Sequence, residues 1–428
     1  MSKYLLSESM LNRAEKTIPL ASQTFSKSKT HYPFGVSPYF IKRGKGSKVW
    51  DVDGNEYTDF INSLCAITLG YNDVDVVKAV KEQLEEGTIF SLPHPIEFEV
   101  SEKIVEMIPC ADMVRYGKNG SDATAGAVRV ARAYTQRDRV AVCGYHGWQD
   151  WYIGSTTRNK GVPQVVRDQT HSFQYNNIDS LKKIFDDFPD QIACVILEPM
   201  NVTEPQNNFL QEVLEYTHSQ GALLIFDETV TGFRFANGGA QQYFGVTPDL
   251  ATFGKGLANG FPISVVAGKE KYMRLMEEIF FSFTFGGETL SLAASLATLK
   301  KLQAEPVIET LYKQGSKIIE GVNNLIQKHD LKEIVSISGN PTWSFLNIAG
   351  FNDYNSFEIK TLFLQEIFDR GILSVGTHNL SYSHSDQDIT KLLNVYDEVF
   401  SILQKAIFDK SLVQYLKCKP LEPLFKVR

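Results

Sequence analysis

Leu223-Leu224-Ile225-Phe226-Asp227-Glu228-Thr229 decides the fold of this chain. Four apolar residues run without alternation and stop at two acids. A strand with one wet face alternates; a continuous apolar run marks a strand covered on both faces. The same grammar occurs upstream, where Ala193–Leu197 ends at Glu198-Pro199, and Arg139–Cys143 forms another short apolar run. Helical patterns separate these runs at Ser121–Tyr134, Ile178–Phe185 and Leu210–Ser219. Short buried strands alternating with helices predict a mostly parallel sheet with helices on both faces, an α/β fold. Ligands of such sheets gather beyond the carboxyl ends of the strands, where Glu198 and Asp227 fall. Each acid alone reads equally well as a helix cap.

The spacing predicts further helices at Asp73–Glu86, from Thr289 to about Gln303, and at Phe357–Arg370 and Asp386–Gln404. "SKVWDVDGNEYTDFI" (47–61) predicts a hairpin turning at Asp53-Gly54-Asn55. Strand signals at "SFLNIA" and "GILSV" near the C-terminus suggest a smaller α+β domain. The expected organisation is residues 1–72 joining the small domain, 73–305 as the large domain and 306–428 as the rest of the small one.

The chain has 428 residues, 43% of them hydrophobic, enough for a large core. Its formal net charge of −7 gives no basic surface for nucleic acid. No apolar run approaches the ~18 residues of a membrane helix, and the first twenty residues show no signal-peptide pattern. Five cysteines, an odd number without a CxxC pair, read as reduced thiols of a cytoplasmic protein. The eight histidines form no spaced cluster with them, so no metal is expected.

Downstream of the opening stretch, "ATFGKGL" (251–257) sets Lys255 between two glycines. Glycines there let the backbone approach a bound group closely. "GKNGSDATAGAVRVAR" (117–132) and "FTFGGETLSLAA" (283–294) place glycines before helices, as phosphate cradles do. Tyr145, His146, Trp148 and Trp151 make an aromatic turn able to face a planar ring. An amine, a buried acid, phosphate cradles and an aromatic plate together suit pyridoxal phosphate (PLP): a lysine forms a Schiff base with its aldehyde, and an acid keeps the pyridine nitrogen protonated.

On these residues the chain resembles the class III (fold-type I) PLP aminotransferases, and within them the glutamate-1-semialdehyde aminomutase-like branch. "LLIFDETVTGFR" (223–234) and "PDLATFGKGLANGFP" (248–262) carry most of the likeness. "WDVDGNEYTDF" (50–60), "MVRYGKNGSDATAGAVRVARAYT" (113–135), "YHGW" (145–148) and "TFGGE" (284–288) agree in order and spacing. The resemblance implies a large domain with a mostly parallel seven-stranded sheet and a small α+β domain. It implies Lys255 as Schiff-base lysine and proton shuttle, and Asp227 as partner of the pyridine nitrogen. Gly120 and Ser121 are implied at the cofactor phosphate, Tyr145 on the ring with His146 beside it, and Thr229 against the ring face where relatives usually have valine. Glu198 is placed near Asp227 or the ring hydroxyl, with Asn201 a looser match for the hydroxyl. Thr284 is implied to reach the phosphate bound by a second copy, making a homodimer.

Three departures bear on substrate. In "FGVSPYFIK" (34–42), Phe40 stands where the aminomutases have a carboxylate-binding arginine. The segment between Tyr145-His146-Gly147 and Gly161-Val162-Pro163 is shorter than their gate, and "GTHNLSYS" (376–383) replaces a longer glutamate-bearing stretch. Losing clamp and gate favours release of the half-reaction product, hence ping-pong transamination from a donor amino acid such as glutamate to an aldehyde or ketone. An aromatic entrance including Phe40 and Trp148 suits a flat or hydroxylated acceptor, sugar- or nucleotide-linked compounds among them; the same aromatics would equally pack a dimer interface. His378 and Asn379 either bond substrate or shape a turn. The rival functions are aminomutase chemistry and a silent binding module.

Overall fold

The computed structural model describes residues 3–422. The chain forms two compact units. Of the described residues, one unit contains 3–64, Leu69–Asp73 and 309–422; the other contains Cys65–Thr68 and Val74–Ile308.

In chain order the strands are β1 (Ile41–Lys45), β2 (Lys48–Asp51), β3 (Glu56–Asp59), β4 (Met113–Gly117), β5 (Arg139–Cys143), β6 (Thr170–Ser172), β7 (Ile192–Leu197), β8 (Leu223–Asp227), β9 (Leu250–Phe253), β10 (Ser264–Gly268), β11 (Val335–Asn340), β12 (Trp343–Ile348), β13 (Ile372–Leu373) and β14 (Thr377–Asn379).

The larger unit is built on a seven-stranded sheet ordered β4-β10-β9-β8-β7-β5-β6. β6, β5, β7, β8 and β9 run parallel, and β10 is antiparallel to both β9 and β4. Every residue of β7, β8, β9 and β10 is buried, which is why their sequences do not alternate. The helix Gly120–Thr135 covers one face: Ala123, Ala127, Val128, Val130 and Ala131 pack in one cluster with Val140, Cys194, Ile225 and Val266. Its small residues let the helix lie close to the strands. The chain steps from β5 outward to β6 and then back across β5 to β7, so the strand order reverses at β5/β7. Such a switch point opens a crevice at the carboxyl edge of the sheet.

The smaller unit holds a four-stranded sheet, β1-β2-β3-β13, and a three-stranded one, β11-β12-β14. The hairpin β2–β3 forms with Val49 opposite Tyr57 and Trp50 opposite Glu56. After β3 the chain makes one left-handed turn, with φ of 43°, 48°, 60° and 69° at Asn62, Ser63, Leu64 and Cys65. Four consecutive L-residues in this region are costly. The turn is held locally: Asp59 Oδ1 accepts from the N–H groups of Ile61 (2.7 Å) and Asn62 (3.1 Å), and Asn379 Nδ2 donates to the Ile61 carbonyl at 2.6 Å. The Asn62 side chain donates back to the Asn379 carbonyl.

Among the described residues, three helices of ten residues or more were not expected from sequence: Leu5–Ala14, Ile96–Met107 and the 22-residue Val307–Lys328. The longest contains Gly315 and Gly321, which read as breakers in sequence. A Cβ on Gly315 would run into the Pro341 carbonyl, so the residue marks a close approach inside the helix and not its end. No disulfide joins the five cysteines, all of which lie among the described residues; Cys65, Cys110, Cys143 and Cys194 are buried and Cys418 is half-buried. Among the described residues no helix is long and apolar enough to cross a membrane.

Candidate active site

The carboxyl ends of β4, β5, β7, β8 and β9 lie on one edge of the large sheet, and the predicted residues follow them in turn. Asp227 is the last residue of β8 and stands opposite Thr252 in the β8–β9 register. Lys255 comes two residues after β9 ends, and neighbouring strands lie about 4.8 Å apart. The acid and the lysine therefore leave the sheet side by side. Lys255 itself has φ of 44°, a left-handed conformation that turns the chain sharply between Gly254 and Gly256.

Asp227 is 5% exposed and accepts four hydrogen bonds. Oδ1 accepts from Thr229 N (3.1 Å), Thr229 Oγ1 (2.6 Å) and Thr252 Oγ1 (3.1 Å). Oδ2 accepts from His146 Nδ1 at 2.9 Å. Burial opposes ionisation of this carboxyl, but the bonds and charge of His146 and the bonds from Thr229 outweigh it, holding Asp227 below the ordinary carboxylate range. His146 is itself 1% exposed, with Tyr152 edge-on at 5.2 Å and Trp151 nearly parallel at 6.4 Å. Thr124 Oγ1 donates to the His146 carbonyl at 2.9 Å, fixing the loop that delivers the ring.

Glu198 follows β7. Its Oε2 accepts from Tyr145 N at 2.9 Å and Asn201 Nδ2 at 3.1 Å. Burial, then the Asp227 charge, push its carboxyl upward. One acid is thus held ionised and its neighbour is biased toward the neutral form, a division that catalytic sites use. The Tyr145 side chain is 55% exposed, leaving ring surface free to meet another group.

Gly120 and Ser121 open the 16-residue helix after β4. Asp122 accepts from the N–H groups of Lys118 (3.1 Å) and Asn119 (2.8 Å), shaping the turn into it. Ser121 Oγ accepts from Trp148 N at 3.2 Å, joining this helix start to the aromatic turn. Thr229 closes the constellation: its Cγ2 would lie 3.1 Å from a Cβ on Gly120 and 3.5 Å from one on Gly254. The methyl of Thr229 therefore packs between the helix start and the lysine loop.

These residues fit PLP. A helix N-terminus suits its phosphate, a buried anion suits its protonated ring nitrogen, and Gly120 and Gly254 keep the backbone bare on either side of Thr229. The class-III aminotransferase family model matches residues 31–400. The chain belongs to the class-III aminotransferase family. It is 32% identical over 415 residues to the 3-aminobutyryl-CoA aminotransferase of Cloacimonas acidaminovorans, covering 95% of this chain and 99% of that one. It is 34% identical over 397 residues to the glutamate-1-semialdehyde 2,1-aminomutase of Persephonella marina, covering 86% and 92%. Among solved structures, the PLP internal aldimine form of Sphingopyxis sp. MTA144 FumI superposes with a TM-score of 0.88 at 28% identity, covering 97% and 98%. PLP is the cofactor of this class-III aminotransferase, and its substrates are a small-molecule amino donor and an acceptor.

The structure thus gathers Gly120, Ser121, Tyr145, His146, Trp148, Glu198, Asp227, Thr229 and Lys255 on one sheet edge. Thr284 is not among them: it lies exposed in the loop before the helix Thr289–Ala304. Phe40, His378 and Asn379 belong to the smaller unit. Phe40 is half-buried ahead of β1, its carbonyl accepting from Val52 N at 3.1 Å. His378 sits in β14 and not in a turn. Its ring is buried, with Nδ1 at 3.0 Å from Ser344 Oγ and Nε2 at 3.0 Å from Tyr396 OH, so neither nitrogen is left for another ligand. Asn379 holds the left-handed turn described above. Sequence reading missed Thr252, although a lone hydroxyl in the buried run Leu250–Phe253 needs a polar partner.

Proposed function

We propose that this enzyme is a transaminase that takes an amino group from a donor amino acid such as glutamate and delivers it to an aldehyde or ketone. The observation that carries the reading is the ionised Asp227 at the end of β8, beside Lys255 at the end of β9. When bound, PLP supplies an aldehyde that condenses with amines and a ring that draws electrons from the substrate carbon. The chain does the rest. The Lys255 amine would hold the cofactor and, when free, would carry a proton to or from the substrate carbon. Asp227 would balance the charged ring nitrogen, Gly120 and Ser121 would hold the phosphate, Tyr145 and Thr229 would confine the ring, and Glu198 with Asn201 would lie near its hydroxyl.

Phe40, in place of a carboxylate-binding arginine, supports release over retention of the intermediate product. The near-complete alignment with a 3-aminobutyryl-CoA aminotransferase supports acceptors that carry the carbonyl two carbons from an acyl group; hydroxylated sugar- or nucleotide-linked ketones are the second class. The active unit is a homodimer. Phe280 is 85% exposed and Phe285 57% exposed on the loop that carries Thr284, an apolar surface that a second copy would cover while Thr284 reaches the phosphate in that copy.

The test uses ¹⁵N-labelled glutamate or alanine with a panel of β-keto acyl thioesters, aldehydes and keto sugars, followed by mass spectrometry. Label in the acceptor, with one oxoacid released per transfer, supports transamination. Turnover confined to glutamate-1-semialdehyde, with no label gained from the donor, would make the enzyme an aminomutase. A Lys255→Ala variant that still turned over fully would remove the lysine from the mechanism.

A further inference from the structure

The Asp227 carboxylate is not held symmetrically. A carboxylate oxygen offers about two lone pairs. Oδ1 receives three donors, the Thr229 amide at 3.1 Å, the Thr229 hydroxyl at 2.6 Å and the Thr252 hydroxyl at 3.1 Å. Oδ2 receives one, His146 Nδ1 at 2.9 Å. Thr252 is 0% exposed, so no bulk water competes for its hydroxyl.

We infer that Thr229 and Thr252 are positioning residues: by saturating Oδ1 they turn Asp227 so that Oδ2, shared with His146, is the oxygen that meets the pyridine nitrogen of the cofactor. This rests on the reading that Asp227 faces that nitrogen.

The carboxylate of an aspartate rotates easily about its last torsion, which is broad and roughly two-fold. A single tether would leave it free to swing. Here the tethers come from two directions. Thr229 lies two residues along the same chain, and Thr252 lies on the adjacent strand, in register with Asp227. The same strand leads to Lys255, so the orientation of the acid is tied to the element that delivers the amine. His146 donates through Nδ1, because a carboxylate can only accept, so Nδ1 carries a proton in this contact. The Thr229 hydroxyl is the distinctive part. With valine at this position the methyl contacts to Gly120 and Gly254 would survive and the 2.6 Å bond would not.

The experiment strips the full-length enzyme of cofactor and titrates it with PLP or with the 1-deaza analogue, in which C–H replaces the ring nitrogen. Affinity is read by fluorescence quenching at equilibrium. Thr229→Val, Thr252→Val and the double variant are compared with wild type, Thr252→Ser and Asp227→Asn, each checked for folding by circular dichroism. Charge-assisted hydrogen bonds correspond to roughly 10–100-fold in an equilibrium constant. The double variant is expected to bind PLP about tenfold more weakly and the analogue as wild type does, with Thr252→Ser restoring PLP affinity. The single variants carry the same comparison if the double variant does not fold. Equal losses for both ligands, or no loss for either, overturn the inference while leaving the role of Asp227 intact. If Asp227→Asn also fails to distinguish the two ligands, the role of Asp227 falls, and the inference with it.

Discussion

Thr252 and Asp227 stand opposite each other in the β8–β9 register, and the threonine hydroxyl donates to Asp227 Oδ1 at 3.1 Å. This contact ties the acid to the strand that ends at the lysine. Four donors replace the water that the buried carboxyl has lost, and those from His146 and Thr229 hold it below the ordinary carboxylate range. Asp227→Asn removes the charge and leaves the shape. The expected result is a fall in kcat/KM of about 100-fold or more, since a preorganised charge of this kind is lost in full. Steady-state kinetics on the reconstituted variant check it; activity within a few-fold of wild type would mean the ring nitrogen is balanced elsewhere.

Gly147 has φ of 103°, and a Cβ there would run into Ser121. The loop it belongs to carries His146 to Asp227 and bonds Trp148 N to Ser121 Oγ. Gly147→Ala is expected to cost about 1–3 kcal/mol, read as a lower denaturant midpoint with an unchanged slope. Unaltered stability would show that the loop relaxes at no cost.

The left-handed turn at Asn62–Cys65 stores conformational energy that its tethers offset. Ser63→Gly relieves about 1–2 kcal/mol of left-handed strain at a φ of 48° and adds about 0.5–1 kcal/mol of chain-entropy cost, so it should stabilise the protein by roughly 0.5–1 kcal/mol. Asn379→Ala leaves the buried Ile61 carbonyl without its donor and should destabilise by about 1–3 kcal/mol. Opposite signs in urea unfolding are the signature. A loss for Ser63→Gly would mean that the bond from Lys27 Nζ to Ser63 Oγ, at 3.2 Å, outweighs the strain.

His378 gives a pH prediction. Burial pushes its imidazole down to about 3, against an ordinary value of 6.5. Between those values the unfolded chain takes up a proton that the folded chain refuses. Stability therefore falls as pH drops below about 6.5, by up to ~1.4 kcal/mol per pH unit from this group, and levels off near 3. His378→Gln should flatten that slope in urea midpoints measured from pH 7 to 4. An identical slope in the variant would place the acid sensitivity in other groups.

The sequence by itself determined the family and the sheet. Runs such as Leu223–Phe226 and Arg139–Cys143 carry no alternation because both faces are covered, and that property is local to each run. The helix starts at Gly120 and Thr289 and the glycines around Lys255 are legible for the same reason: backbone requirements are met by neighbours in sequence. The 22-residue helix Val307–Lys328 escaped because its glycines answer to a distant chain segment, as Gly315 does to Pro341. Only the tertiary structure decided which side chains share a proton or a lone pair. Thr252 belongs to Asp227 across 25 residues of chain, His378 to Ser344 and Tyr396, and Asn379 to the turn at Ile61. Hydrogen bonds between strands depend on register and burial, which arise when the sheet closes, and no single stretch of sequence contains them.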